Sequence, residues 1–377
     1  MRENKDYLIT EKPSRALLIF SIPMIIGNLF QQAYTIVDSA IVGRYVGETA
    51  LAAVGASYAL TSIFICIAIG GGIGASVIIS HHFGGHNYGR MKTGIRTALL
   101  SFLFISLILG GIGLIFSQQI MEVLNTPADA IDIAVTYLNI YFLGLPFLFM
   151  YNILSSMFNA LGESRIPLYL LIFSSVLNIF LDLYMVAVLN LGVAGAAYAT
   201  FIAQGISAVL SLIIFIVTLQ KLPGKAEGWM SKTEFSDMSR IALPSILQQS
   251  TVSIGMMLVQ SVVNSFGTQI LAGFSAAMRI ESLCVVPMSA IGNAMSSYTA
   301  QNIGAEQEER ISQGYRMGNF MIIVIAVILC LFLEIAHKPL VALFLDNAAS
   351  SQTIVTGESY LKFIGFFFCM IGFKMAV

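Results

Sequence analysis

Charged residues are scarce in this sequence of 377 residues. They make up 10% of it, whereas 57% of the residues are hydrophobic and the mean hydropathy is +0.84. A soluble domain carries about 25% charged residues. The deficit extends along the whole chain and therefore predicts a polytopic membrane protein whose main solvent is lipid. The net charge of −1 also lacks the positive excess that is typical of a general nucleic-acid-binding protein.

Cysteine and the common catalytic motifs are also scarce. The four cysteines lie singly in apolar segments without a CxxC pair, which is typical of small buried hydrophobic side chains. No Walker-type phosphate loop, Ser–His–Asp pattern or metalloprotease pattern is visible, so we expect neither ATP as the energy source nor an enzyme. "HHFGGH", at 81–86, has no Cys or acid at ligand spacing beside it. We therefore expect no metal site there and no cofactor.

Long apolar runs are abundant instead. Runs of about 20 residues, the length that crosses a bilayer, recur between polar breaks. Pro23 removes a backbone donor from the first run and predicts a helix bend there. The expected fold class is an all-α polytopic membrane protein. We predict ten spans, numbered one to ten, at 16–40, 49–79, 95–117, 131–157, 167–189, 192–219, 240–265, 270–300, 317–336 and 356–377.

The distribution of Lys and Arg predicts the orientation of these spans. With the N-terminus inside the cell, fourteen Lys and Arg residues fall in the inner segments and two, Arg44 and Lys338, in the outer loops. Lys and Arg are enriched in the cytoplasmic loops of membrane proteins. We therefore expect a multi-pass protein of the cytoplasmic membrane with a cytoplasmic N-terminus.

An internal repeat predicts how the spans are grouped. "GETALAAVGA" resembles "GTQILAGFSA" later in the chain, and Arg90 matches Arg310 at the same offset. Pro23 in "SIPM" also aligns with Pro244 in "ALPS". Spans one to three thus match spans seven to nine in the same direction, which predicts two lobes related by a pseudo-twofold axis along the membrane normal. We expect an N-lobe at 1–220 with six spans, and an incomplete C-lobe at 221–377 with four spans, lacking two C-terminal helices.

Four polar side chains in the N-lobe reach a similar depth in the membrane. Asp38 lies six residues before Arg44, and Asp182, one helical turn after Asn178, lies eight residues before the outer end of span five. Thr200 lies nine residues after Leu191, which directly precedes span six. At 1.5 Å per residue, Asp38, Asp182 and Thr200 lie about 9 to 14 Å below the outer boundary. We therefore expect three helices to bring oxygen groups together.

Such a cluster suits a small cation. Intramembrane carboxylates are costly and usually face a cavity or an ion path. Two neighbouring carboxylates with little water cannot easily both stay ionised, and either a proton or Na⁺ would relieve their repulsion. The alternative interpretation is a satisfied structural network that joins three helices.

Several motifs resemble the multidrug and toxic compound extrusion (MATE) family of cation-coupled exporters. They are "IPMIIGNLFQQAYTIVDSAIVGRYVGETALAAVG", "FNALGESRIPLYL", "LNIFLDLYMV" and "AAMRIESLCVVPMSAIGNAMSSYTAQNIGA". The resemblance covers nearly the whole chain and is closest to the DNA-damage-inducible-protein-F-like branch. It implies twelve helices in two six-helix lobes around a central cleft. It also implies an N-lobe cation site at Tyr34, Asp38, Asn178, Asp182 and Thr200.

The C-lobe offers fewer candidates. The other main bacterial branch of the family uses a C-lobe acid in span seven, but "LPSILQQSTVSIGMMLVQ" has none there. Arg279 and Glu281 are the clearest charges within C-lobe spans. Two residues apart on a helix, they cannot pair face to face. We include them with Gln249 in a possible C-lobe network.

Together, the resemblance and the polar cluster predict a secondary multidrug exporter that works by alternating access. The expected partners are small organic, mostly cationic, substrates and the lipid bilayer, with H⁺ or Na⁺ as the coupling ion and a monomer as the functional unit. One alternative is a lipid-linked oligosaccharide flippase of the same superfamily, but few cations lie inside spans to hold a pyrophosphate. A membrane-embedded enzyme or receptor is the alternative from another class.

Overall fold

Long helices account for almost all of the described chain. The computed structural model describes residues 6–46, 48–123, 131–342 and 350–376, and no β-strand is present in those ranges. The helices are α1 (Tyr7–Thr10), α2 (Pro13–Tyr45), α3 (Glu48–Gly84), α4 (Tyr88–Val123), α5 (Ile131–Ala160), α6 (Arg165–Asp182), α7 (Gly192–Gln220), α8 (Lys232–Asn264), α9 (Thr268–Gly304), α10 (Glu308–Ala342) and α11 (Ser351–Ala376). A π-helical turn, Leu183–Val188, follows α6 directly.

Ten of these helices, α2 to α11, are long and apolar enough to cross a membrane within the described ranges. The all-α membrane fold and the ten predicted spans are therefore confirmed. Most of the predicted bounds were too short, since α3 and α9 each contain 37 residues. Hydropathy marks only the part of a helix that lies in hydrocarbon, whereas these helices continue into polar sequence at their ends.

The predicted repeat reappears in the backbone. The turn after α3 and the turn after α9 each place a non-glycine residue at positive φ, His86 at 53° and Glu306 at 57°. The backbone N–H of Asn87 then donates to the carbonyl of His82, and Gln307 donates to Asn302 in the same way, both at 2.9 Å. Each residue of the first turn lies 220 residues before its counterpart in the second turn, and this is the offset that separates Arg90 from Arg310 in the sequence repeat.

The described chain divides into two compact units. Unit 1 contains Met1–Leu29 and Thr251–Val377, and unit 2 contains Phe30–Ser250. These bounds differ from the predicted lobes at 1–220 and 221–377, because the divisions fall inside α2 and α8 rather than between helices. The grouping into two lobes remains a proposal.

Glycines allow close helix packing within unit 2, as at Gly110 of α4. A Cβ atom at Gly110 would lie 2.9 Å from the carbonyl oxygen of Phe142 in α5. At the neighbouring Gly111 a Cβ atom would meet nothing within 4 Å. One glycine of the pair thus permits the approach of α5, which holds residues beside the polar cluster described below.

Candidate functional site

Three helices bring the predicted polar residues together within unit 2. Tyr34 and Asp38 lie one turn apart on α2, Asn178 and Asp182 lie one turn apart on α6, and Thr200 lies on α7. Asp182 is the last α-helical residue before the π-helical turn. Such turns frequently occur at functional sites, and this one gives no signal in the sequence.

Asn178 connects the three helices. Its hydrogen-bond partners assign the orientation of its amide, with the nitrogen toward Asp182. In this orientation Nδ2 donates to Asp182 Oδ2 at 2.8 Å and lies 2.7 Å from the Tyr34 hydroxyl. Oδ1 accepts from Thr200 Oγ1 at 3.3 Å and from the Thr200 backbone N–H at 3.1 Å. The opposite orientation keeps the contacts with the Tyr34 and Thr200 hydroxyls but turns the amide oxygen toward other acceptors.

The carboxyl groups of Asp38 and Asp182 lie within hydrogen-bonding reach of each other. Asp182 is fully buried and Asp38 is half-buried. The Oδ1 atom of Asp182 is buried and receives no hydrogen bond from a donor among the described residues. Two ionised carboxylates cannot donate to one another, so a proton on one of them, or a cation between them, would complete this contact.

The chemistry of the cluster suits a hard cation. Carboxylate, amide and hydroxyl oxygens are the ligands that small, hard cations prefer. Among the described residues no group of three or more His, Cys, Asp or Glu side chains is arranged to hold a metal ion. The cluster instead combines two carboxylates with neutral amide and hydroxyl oxygens.

Tyr137 of α5 is a neighbour of the cluster that the sequence analysis missed. Its hydroxyl lies within electrostatic range of both Asp38 and Asp182. It also lines a cavity of about 20 Å³, which is room for one water molecule. A single tyrosine in the aromatic-rich span four carries no distinguishing sequence signal. The other residues lining this cavity are Ile140, Tyr141, Gly144, Ala197, Thr200, Phe201 and Gln204.

The C-lobe candidates are placed differently from one another. Glu281 of α9 accepts a hydrogen bond of 2.6 Å from the Tyr360 hydroxyl of α11, a partner that the sequence analysis missed. The Arg279 side chain is exposed. Gln249 belongs to unit 2, whereas Arg279 and Glu281 belong to unit 1. A network that joins all three remains a prediction.

The chain is similar to known membrane transporters. The sequence profile of the family MatE matches residues 23–184 and 244–377. "Probable multidrug resistance protein YpnP" of Bacillus subtilis is 33% identical over 95% of this chain and 80% of its own length. "FAD transporter" of Shewanella oneidensis is 24% identical over 91% of this chain and 76% of its own length. Among solved structures, a MOP superfamily transporter from Pyrococcus furiosus has the same fold, with a TM-score of 0.91, 24% identity, and coverage of 99% of this chain and 83% of that chain.

Proposed function

This chain belongs to the MatE family, and on that premise we propose that it exports multidrug or toxic organic compounds in exchange for H⁺ or Na⁺. Its relatives are transporters, and the ten long apolar helices in the described part of the chain are those of a multi-pass membrane protein. The identity of the coupling ion, the alternating-access cycle, the cytoplasmic N-terminus and the monomeric state belong to the proposal.

The contact between Asp38 and Asp182 is the observation that carries the proposal. A purely structural network would satisfy its buried polar atoms, as buried polar groups generally are. Here Asp182 Oδ1 accepts no hydrogen bond from the described residues, although its carboxylate faces a second carboxylate. Such a pair can take up a proton or Na⁺ and can release that ion when its surroundings change.

The proposed cycle has two states. In the first, the carboxylates hold no coupling ion and the protein binds its cargo from the cytoplasm and carries it outward. In the second, the ion binds at Asp38 and Asp182 from outside, α2 bends near Pro23, and the cargo dissociates. Release of the ion into the cytoplasm then restores the first state. A ligand can shift such an equilibrium only by its differential affinity for the two states, and the ion pocket provides that difference.

The structure defines the class of transported compound only broadly. Apolar and aromatic helices favour organic compounds, and the lack of several cations within the described spans disfavours a lipid-linked pyrophosphate. We expect small organic cations as cargo. Because one similar protein is named as an FAD transporter, a test panel also needs that anionic compound.

Efflux from inverted vesicles tests the proposal. Proton and sodium gradients are imposed separately, and the movement of a cationic dye and of FAD is followed with the wild-type protein and with Asp38→Asn. Gradient-driven transport of either compound by the wild type, lost in Asp38→Asn with normal insertion, is the expected result. Undiminished transport by Asp38→Asn would contradict the coupling role.

A further inference from the structure

A second buried carboxylate of unit 2 lies far from the cation cluster in the sequence. Glu234 is the third residue of α8, and its side chain is only 3% exposed. Arg90 donates to Oε1 through Nε at 3.1 Å and Nη2 at 2.8 Å, and His82 Nε2 lies 2.9 Å from Oε2. Both carboxylate oxygens are therefore bonded. We name His82, Arg90 and Glu234 the α8 clasp.

The linker before α8 is fastened to α4 just beside this clasp. Lys92 Nζ donates to the carbonyls of Leu222 and Gly224, both at 2.8 Å. Thr97 Oγ1 accepts from the backbone N–H of Ser231 at 3.0 Å. These bonds hold the end of the linker on α4, so the start of α8 is tethered even without the carboxylate of Glu234.

The other half of the chain has a corresponding contact at the offset of the repeat. His82 corresponds to Asn302, and Arg90 corresponds to Arg310. Arg310 Nη2 donates to the carbonyls of Leu8 at 3.1 Å and Glu11 at 2.7 Å, and Asn302 Nδ2 donates to Leu8 at 3.1 Å. We name Asn302 and Arg310, with the segment that they hold, the α1 clasp. Each clasp thus holds the segment at the start of one half's first long helix.

The two clasps differ in the apolar surface that lies behind them. In the segment that the α1 clasp holds and the first two turns of α2, four apolar side chains are fully buried: Leu8, Ala16, Leu17 and Phe20. Of the 33 residues of α8, those that are buried are Glu234 and Met238. Close packing on glycine also holds α8, since a Cβ atom at Gly74 would lie 2.8 Å from the backbone nitrogen of Ala242.

This difference determines which clasp opens at the lower free-energy cost. Opening the α1 clasp would expose apolar surface, at a cost in proportion to its area. Opening the α8 clasp exposes one buried apolar side chain of α8, that of Met238, and returns the polar side chains of the clasp to water. The Arg90 side chain is already 43% exposed.

The division of the chain gives these clasps a role in transport. Both α2 and α8 begin in one unit and end in the other. Any change of one unit relative to the other must therefore bend these helices or release one of their clasped ends. We propose that Glu234 is a positioning residue of the transport cycle: the α8 clasp opens and α8 turns about its tethered start, while the α1 clasp stays closed. This inference rests on the proposed function.

Thiol labelling in native membranes tests the proposal. A reporter, Met238→Cys, is placed behind the clasp in a chain whose four native cysteines are replaced by alanine, and maleimide labelling rates are compared with and without Glu234→Gln. Leu17→Cys is the matched control. Leu17 lies behind the α1 clasp, 221 residues before Met238, and the same offset separates Pro23 from Pro244. Loss of a charged hydrogen bond predicts labelling of the Met238→Cys thiol that is faster by about tenfold or more in Glu234→Gln. The Leu17→Cys thiol stays protected in both backgrounds.

Two results would overturn the proposal. One is an equal labelling rate of the Met238→Cys thiol with and without Glu234→Gln, and the other is labelling of Leu17→Cys as fast as that of Met238→Cys. Arg90→Lys, which keeps the charge but loses the two-pronged contact, serves if Glu234→Gln fails to fold, with the same criteria. Labelling needs neither drug nor gradient. If the wild-type protein transports but Glu234→Gln leaves the labelling rate of the Met238→Cys thiol unchanged, the role of Glu234 alone is overturned. If Glu234→Gln speeds labelling but the wild-type protein does not transport, the proposed export alone is overturned.

Discussion

Under the proposed function, ion and cargo exchange at two carboxyl groups, those of Asp38 and Asp182. Their proximity could be predicted from sequence, because the distances of Asp38, Asp182 and Thr200 from the polar ends of their spans place them at one depth. Tyr137 could not be predicted in this way, since no pattern separates it from the other aromatic residues of span four. The contact between Tyr360 and Glu281 could not be predicted from sequence either, because the two residues lie on different helices that are far apart in the sequence.

At this scale, we expect Asp182→Asn to reduce gradient-driven efflux to background. Asparagine keeps the size and the hydrogen bonds but cannot exchange a proton or neutralise Na⁺. Asp132→Asn, at the exposed first turn of α5, is the matched control and should transport normally. Efflux rates at equal expression measure the difference, and full activity of Asp182→Asn would show that its carboxylate is not needed.

Tyr34→Phe should weaken the affinity for the coupling ion without abolishing transport. The change removes the hydroxyl that lies 2.7 Å from Asn178 and so loosens the amide beside Asp182. One neutral hydrogen bond contributes about 1 kcal/mol, which corresponds to about a fivefold higher ion concentration for half-maximal efflux. An unchanged ion dependence would exclude Tyr34 from the site. Tyr315→Phe, at an exposed tyrosine, serves as the control.

At the scale of helices, hydropathy located the ten spans but not their ends or the π-helical turn. Hydropathy measures transfer to lipid, so it is insensitive to the polar turns through which α3 and α9 continue. The turn at Leu183–Val188 arises from hydrogen bonding rather than from composition. The contact of Arg90 with Glu234 escaped prediction for a related reason, since residues so distant in the sequence share no periodic pattern.

The glycine pair of α4 gives a stability prediction at this scale. Gly110→Ala should lower the melting temperature of the purified protein, because its Cβ atom would meet the Phe142 carbonyl at 2.9 Å. Overpacking of this kind costs about 1 to 3 kcal/mol. Gly111→Ala has free space and should be neutral or stabilising by up to about 1 kcal/mol. Equal effects of the two substitutions would refute the packing of α4 on α5.

Pro23→Ala tests the proposed bend of α2. Alanine restores the backbone donor and removes the ring, so we expect a straighter, stiffer helix. Turnover should fall by about tenfold, equivalent to about 1.4 kcal/mol, while equilibrium drug binding is retained. Pro339→Ala, near the end of α10, provides the control. Wild-type turnover in Pro23→Ala would remove this helix from the cycle.

At the scale of the whole molecule, the duplication appears both in sequence and in backbone, yet the two halves have diverged in chemistry. The polar cluster lies in unit 2, whereas span seven, which matches span one in the repeat, contains no acidic residue. The sequence predicted the repeat from matched residues such as Arg90 and Arg310. It could not predict that α2 and α8 are each shared between two units, since this division depends on packing.

Competition between ion and drug on the purified protein tests the exchange most directly. Equilibrium binding of a fluorescent cationic drug is titrated with protons and, separately, with Na⁺, for the wild type and for Asp38→Asn combined with Asp182→Asn. If the two carboxyl groups trade an ion for the cargo, one of these ions raises the apparent Kd of the wild type and leaves that of the double variant unchanged. Displacement of the drug from the double variant, at the ion concentrations that displace it from the wild type, would contradict an exchange at these two carboxyl groups.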